Sequence, residues 1–96
     1  MAIAEPKQGR VRKLTAEQAY LYATYHNVSV IVLDADTYGL TLIQNLREVF
    51  PSTAVIAISK SPQTLARAAR LGAIAVPANA SPTKLSALIA RVLARG

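Results

Sequence analysis

One run of aliphatic, mostly β-branched residues, 28–33, ends abruptly in two acids and a glycine, Asp34, Asp36 and Gly39. A half-buried strand alternates polar and apolar residues, whereas this run is interrupted only by Ser29. Continuous apolar runs are typical of parallel strands that helices cover on both faces. Because ligands of open α/β sheets bind at the carboxyl ends of such strands, Asp34 and Asp36 stand where a functional site is expected.

Strand and helix patterns alternate along the rest of the chain. A strand predicted at residues 54–58 is followed by Ser59, and a short one at 73–76 stops at Pro77. Helix starts are indicated by three capping patterns, which are Thr15 with Gln18, Ser61 with Pro62, and Ser81 with Pro82. The alternation predicts an α/β fold with a small open parallel sheet of about four strands and right-handed βαβ crossovers.

The domain boundaries follow from the first residues. Residues 1–9 contain Pro6 and Gly9 without periodicity, which predicts a flexible basic arm. Residues 10–96 then form a single domain, which begins with a short strand at 10–14. Its positive charges restrict that strand to a sheet edge. The basic residues of the arm and this strand are Lys7, Arg10, Arg12 and Lys13.

Composition limits the location and the chemistry. The chain has no cysteine, which excludes disulfides and thiolate ligands and agrees with a reducing compartment. It has neither a membrane-length apolar run nor a secretory signal at its start, so we expect a cytoplasmic protein that does not bind membranes. The net charge of +6 favours an acidic partner without identifying nucleic acid.

In order and spacing, these segments resemble the receiver domain of two-component response regulators, which has a flavodoxin-like fold. Residues 30–34 resemble its third strand, with Asp34 at the phosphoacceptor position. Residues 56–59 resemble its fourth strand, ending in the switch residue, here Ser59. Residues 71–76 resemble the glycine-alanine step into its fifth strand, and the amphipathic C-terminal segment resembles its fifth helix.

Two features of receivers are missing from this sequence. Receivers bind Mg²⁺ through an acid pair after their first strand, and neither Glu5 nor Glu17 follows a hydrophobic strand. Receivers also place a lysine after strand five, where this chain has none at 77–80. The resemblance therefore implies a truncated, degenerate pseudo-receiver that lacks the first strand and helix. Asp34 is then a vestige, and we expect no catalytic residue, no metal and no cofactor.

Three other functions can be compared with the sequence. The spacing of Asp34 and Asp36 is similar to the first motif of haloacid-dehalogenase-type phosphatases, but those enzymes need a further acid downstream and none follows Glu48. A small basic nucleic-acid-binding protein is the main alternative. Phosphoacceptance at Asp34 is the second.

The leading hypothesis is a non-enzymatic protein interaction module of signalling or regulation that is independent of phosphorylation. Without the first helix, only the last helix covers one face of the sheet, which predicts a homodimer through that face and helix, or a different protein partner that covers the face tightly. The candidate partner surface lies on the last two helices and consists of Arg67, Arg70, Lys84, Arg91 and Arg95.

The predicted first helix, from residue 16 to about residue 26, contains three tyrosines. Its spacing places Tyr20 toward the core and leaves Tyr22 and Tyr25 as interface candidates. His26 is the only histidine of the chain and has no convergent acid or nucleophile in the pattern, so we assign it no catalytic role.

Overall fold

The structure, a computed structural model, describes residues 1–4 and 11–95; of Ala4, Val11, Arg12 and Arg95 it describes the backbone alone. The described residues form an open five-stranded sheet of order β2-β1-β3-β4-β5. The strands are β1 (Ala2–Ala4), β2 (Val11–Lys13), β3 (Val30–Asp34), β4 (Ala54–Ser59) and β5 (Ile74–Pro77). The helices are α1 (Ala16–Tyr25), α2 (Ala35–Tyr38), α3 (Leu40–Val49), α4 (Pro62–Arg70) and α5 (Pro82–Arg95).

The predicted α/β class is confirmed, and its core is the parallel trio β3, β4 and β5. Helices connect these strands, as a parallel sheet requires. We call the edge at which the three strands begin the amino edge, and the edge at which they end the carboxyl edge. Asp34, Ser59 and Pro77 end the three strands and therefore share the carboxyl edge.

The first residues depart from the prediction, because β1 is a strand and not part of a flexible arm. It pairs antiparallel with β2 on one side and with β3 on the other, so the sheet is mixed and has one strand more than expected. The side chain of Ile3, which lies opposite Ile31, is 1% exposed. Two strand partners and a buried isoleucine hold this segment, and residues 5–9 of the predicted arm lie outside the described residues.

The two faces of the sheet are covered unequally. Helices α1, α3 and α4 pack on one face around a large apolar cluster that includes Ile31, Ile43 and Leu46. Helix α5 packs on the other face over Val30, Val32, Ile56 and Val76. Among the described residues, the last helix therefore covers one face alone, as expected.

No described helix is long and apolar enough to cross a membrane.

Local sequence signals account for the helix ends. Thr15 accepts a hydrogen bond from the Gln18 backbone N–H while the Gln18 side chain accepts from the Thr15 backbone N–H, which is the predicted capping box. Ser61 caps α4 through the Thr64 N–H. Gly39 separates α2 from α3 with a φ of 82°, a left-handed value that favours glycine.

Two of the three tyrosines of α1, Tyr20 and Tyr22, exchange their expected places, and Tyr25 is exposed as expected. Tyr20 is 37% exposed and contacts Phe50 edge to face, with 5.2 Å between ring centroids. Tyr22 packs against the main cluster and stacks on His26, and Tyr25 is exposed. Alanines 19 and 23 fill the buried face of α1 and belong to the main apolar cluster.

Candidate functional site

Asp34, the last residue of β3, caps the short helix that follows it. One carboxylate oxygen, Oδ1, accepts a hydrogen bond from the Asp36 backbone N–H at 3.0 Å. The other, Oδ2, accepts from the Thr37 hydroxyl at 3.2 Å. Asp34 is thus an exposed carboxylate that holds the first turn of α2, a common role for aspartate at a helix N-terminus.

Asp36 reaches across to the end of β4. Its Oδ1 accepts a 2.6 Å hydrogen bond from the Ser59 hydroxyl, and its Oδ2 accepts a 2.8 Å bond from the Lys60 backbone N–H. These two donors, the Lys60 N–H first and the Ser59 hydroxyl second, hold the pKa of the Asp36 carboxyl below its usual value. Asp36 is therefore an ionised carboxylate at neutral pH.

Ser59 extends this network into α4. Its Oγ accepts a hydrogen bond from the Ser61 backbone N–H at 3.0 Å, and Ser61 is the N-cap of α4. Ser59 is 1% exposed, whereas its partner Asp36 is exposed, so the hydrogen bonds of Ser59 are partly buried. Asp36, Ser59 and Ser61 together join α2, β4 and α4 at the carboxyl edge.

A shallow cleft of about 470 Å³ opens beside this network. The loop after β5 forms one wall of it, and the start of α4 forms the other. The cleft is lined by Ser59, Lys60, Pro62, Leu65, Pro77, Ala78 and Asn79. Lys60 is the only cation among these residues.

The comparison with solved structures identifies the type of fold. The described architecture matches the response regulator NtrX from Brucella abortus, solved in complex with ADP, with a TM-score of 0.73 and 22% sequence identity. The fold is receiver-like. The match covers 86% of this chain and 20% of the NtrX chain, so this chain spans about a fifth of that protein. No family model and no curated protein matches this sequence.

The receiver-like sheet order is retained with one strand reversed. Flavodoxin-like receivers order their strands 2-1-3-4-5, which is the order seen here. In this chain β1 runs antiparallel to β3, and its carboxyl end, Ala4, lies opposite Val30 at the amino edge. An acid pair that followed such a strand would be delivered away from Asp34. The expectation that Glu5 follows no hydrophobic strand is wrong, because β1 ends at Ala4; Glu5 itself lies outside the described residues.

The carboxyl edge offers two carboxylates, Asp34 and Asp36, to the Mg²⁺ ion that receivers use. Mg²⁺ takes near-octahedral oxygen ligation and is usually held by one or two carboxylates together with waters and phosphate oxygens. Both oxygens of Asp34 and both of Asp36 already accept hydrogen bonds from protein donors. Within the part of the chain that the structure describes, no group of three or more metal-ligating residues forms.

The structure does not gather the candidate partner surface into one face. Arg67 and Arg70 lie exposed in the last turn of α4, whereas Arg91 lies exposed on α5, across the sheet. Lys84 lies in the first turn of α5, at the other end of this helix from Arg91, and it lines a cleft of about 450 Å³ beside β5. Arg95 ends α5, and its side chain lies outside the described atoms.

The predicted basic arm is only partly described. Lys13 is exposed at the end of β2, which is an edge strand as predicted. Arg12 lies in β2 by its backbone. Lys7 and Arg10 lie outside the described residues.

Three participants in the site were not predicted, namely Thr37, the Lys60 backbone N–H and Ser61. A signal for Thr37 was present, because an aspartate followed by polar residues two and three positions later is typical of a helix N-cap. The Lys60 N–H has no side-chain signal, since any residue other than proline supplies the same donor.

Proposed function

We propose that this chain is a pseudo-receiver that acts as a protein interaction module and whose docking is independent of phosphorylation. The observation that supports this most directly is the 2.6 Å hydrogen bond from Ser59 to Asp36. In the resemblance to receivers, the Ser59 hydroxyl is the group that responds to a phosphoryl group. Here the chain's own carboxylate already occupies it.

Charge supports the same conclusion. Enzymes transfer phosphoryl groups almost wholly by positioning them and neutralising their charge. At this edge, Asp36 adds negative charge beside Asp34, and the stretch 77–80 contains no lysine to offset it. The nearby cation is Lys60, whose backbone rather than side chain contacts Asp36. The two neighbouring carboxylates of Asp34 and Asp36 therefore repel a phosphate donor locally, and no lysine in the stretch 77–80 offsets them.

The phosphorylation half of the proposal is tested by mass spectrometry. Purified chain is incubated with acetyl phosphate and Mg²⁺, and its intact mass is compared with that of Asp34→Asn treated identically. We expect no phosphoryl adduct on either protein. An adduct on the wild-type chain that Asp34→Asn abolishes would overturn the proposal and support phosphoacceptance at Asp34.

The interaction half requires a partner that ignores the state of Asp34. The immobilised wild-type chain and Asp34→Asn are compared for proteins that each retains from source-cell extract. We expect the two to retain the same protein with equal yield. Retention that requires both Asp34 and acetyl phosphate would count against docking that is independent of phosphorylation.

Nucleic-acid binding is the second candidate function, and the distribution of arginines favours it. Helices α3, α4 and α5 all end at the amino edge and bring arginines toward it, Arg47, Arg67 and Arg70 from one face of the sheet and Arg91 from the other. The described lysines lie at the other edge. Helix C-termini stabilise cations, which explains the placement without any ligand, but arginine is also the residue that best recognises phosphate.

Fluorescence anisotropy with a labelled DNA duplex tests this second candidate. Two results together would support it. The affinity for DNA should fall about a thousandfold or more between roughly 50 and 200 mM salt. The double variant Arg67→Ala with Arg70→Ala should bind more weakly than wild type. Unchanged anisotropy at the lower salt concentration rejects it. A matched control is Lys84→Ala, which removes a cation from the carboxyl edge instead.

A further inference from the structure

The outer face of α1 is the most apolar exposed surface of the described chain. Three of the four large hydrophobic residues that are exposed lie on this helix, and two of them, Leu21 and Tyr25, are 60% and 77% exposed. Ala19 and Ala23 are buried on the opposite side. Helix α1 therefore exposes large apolar side chains opposite its buried face, beside the polar residues Glu17, Gln18 and Thr24.

A groove runs between this outer face and the end of edge strand β2. It has a volume of about 400 Å³, and its lining is mostly apolar and aromatic. Tyrosine and leucine side chains of this kind bury large area at low entropic cost in protein interfaces. We call it the α1 groove, and it is lined by Leu14, Gln18, Leu21, Tyr22, Tyr25 and His26.

Local charge indicates what covers the α1 groove. Residues 14–46 contain no lysine or arginine, although the chain has 11 of them and a net charge of +6. An acidic partner would be drawn to the arginines of the amino edge rather than to this face. Two copies of so basic a chain repel one another everywhere except where cations are absent. The α1 groove has no lysine or arginine among its lining residues, although Lys13 and the Met1 ammonium group lie next to Leu14 at its rim.

The charges that α1 does carry are complementary to a second α1 in antiparallel orientation. Glu17 lies in the first turn, four residues before Leu21, and Tyr25 lies four residues after it. A two-fold axis at Leu21 brings each Glu17 beside the partner's Tyr25, at the end of the helix where His26 follows. A carboxylate then meets a hydroxyl donor and an imidazole at both ends of the contact.

We propose that the chain forms a homodimer through the α1 groove, with the two α1 helices antiparallel across a two-fold axis at Leu21. This inference stands on α1 alone and does not depend on the chemistry of Asp34 or Ser59. It differs from the dimer expected from the sequence, which used the sheet face and α5. The apolar residues of α5 that face the sheet are partly buried against it.

Sedimentation equilibrium of the full chain, over a range of concentrations, tests the proposal first. We expect a monomer–dimer equilibrium whose Kd rises about tenfold or more in Leu21→Glu. Ala66→Glu adds the same charge at an exposed position of α4 and should leave the Kd unchanged. A wild-type chain that stays monomeric throughout, or a dimer that Leu21→Glu does not weaken, overturns the proposal.

Cysteine cross-linking gives a second measurement that does not disrupt the face. Because the chain has no cysteine, a single introduced thiol reports only its own contact. Leu21→Cys should form a disulfide-linked dimer rapidly under mild oxidation. Ala90→Cys, at an exposed position of α5, should not form such a dimer rapidly. Faster cross-linking of Ala90→Cys would place the interface on α5 and contradict the proposal.

A charge reversal distinguishes the antiparallel arrangement from nonspecific hydrophobic contact. Glu17→Lys and Glu48→Lys change the net charge equally, but only Glu17 borders the proposed axis. We expect Glu17→Lys to raise the Kd and Glu48→Lys to leave it near the wild-type value. Equal effects of the two variants would contradict the antiparallel pairing. All variants are compared after circular dichroism shows equal helix content.

Discussion

The hydroxyl of Ser59 donates a 2.6 Å hydrogen bond to Oδ1 of Asp36, which joins the end of β4 to the helix that follows β3. Because Ser59 is buried and Asp36 is exposed, the bond connects the core to the surface at the carboxyl edge. The same Ser59 oxygen accepts from the Ser61 N–H. Ser59, the residue that the resemblance places at the receiver's switch position, is thereby held in a hydrogen-bond network between Asp36 and Ser61.

Ser59→Ala should destabilise the fold by about 1–2 kcal/mol, because it leaves the Ser61 N–H without its partner in a partly buried position and removes one donor from Asp36. Urea unfolding measures the change. Ser52→Ala, at an exposed turn position, is the matched control and should have little effect. Equal stability of the two variants would show that the Ser59 network adds nothing.

The stability of the chain should depend on pH through Asp36. The folded-state pKa of this carboxyl lies below its ordinary value of 3.8, so its contribution is fully present above that value and is lost as the pH falls through the folded pKa. Asp36→Asn should be less stable than wild type at neutral pH and should lose less stability in acid. Thermal melts at neutral and acid pH measure this difference. Parallel pH profiles for the two proteins would contradict the assignment.

Ile3→Ala tests whether β1 is a genuine element of the sheet. A buried isoleucine replaced by alanine costs about 2–5 kcal/mol, whereas the same change in a flexible arm costs almost nothing. Urea unfolding distinguishes the two. Val49→Ala, at a half-exposed site on α3, is the control and should cost far less. An Ile3→Ala variant as stable as wild type would contradict the role of β1 in the sheet and support the flexible arm predicted from the sequence.

Gly72→Ala should destabilise the turn between α4 and β5 by about 1–2 kcal/mol. Gly72 has a φ of 91°, and a Cβ there would lie 3.1 Å from Nε of Arg47. Truncating Arg47 relieves the contact but not the backbone strain. The cost of Gly72→Ala should therefore be smaller in an Arg47→Ala background than in wild type, but not zero. It is measured as the difference in unfolding free energy between the double variant and Arg47→Ala alone. Full recovery would show that only the contact matters.

Much of the fold could be predicted from the sequence because its strongest signals are local. The apolar runs of β3 and β4 and the caps at Thr15 and Ser61 each depend on neighbours in sequence, and each appears where expected. Strand β1 was missed because it is three small or aliphatic residues long, too short to show a period. Its pairing with β3 depends on a partner almost thirty residues away.

The candidate site was predicted in composition but not in arrangement. The sequence placed Asp34, Asp36 and Ser59 at one edge, and the structure brings them together there. It did not predict that α2 would begin at once after β3 and turn Asp36 away from Asp34 toward Ser59. That direction depends on the helical turn and on the Lys60 N–H, a backbone donor that the side-chain pattern does not reveal.

The most direct test of the central claim is an amide NMR titration of the chain with beryllofluoride and Mg²⁺, which together mimic an acyl phosphate. We predict that the amide signals of Asp36, Ser59 and Ser61 do not move, because their hydrogen bonds already occupy the switch position. Saturable shifts of these signals that Asp34→Asn abolishes would contradict the account and show a working phosphoacceptor.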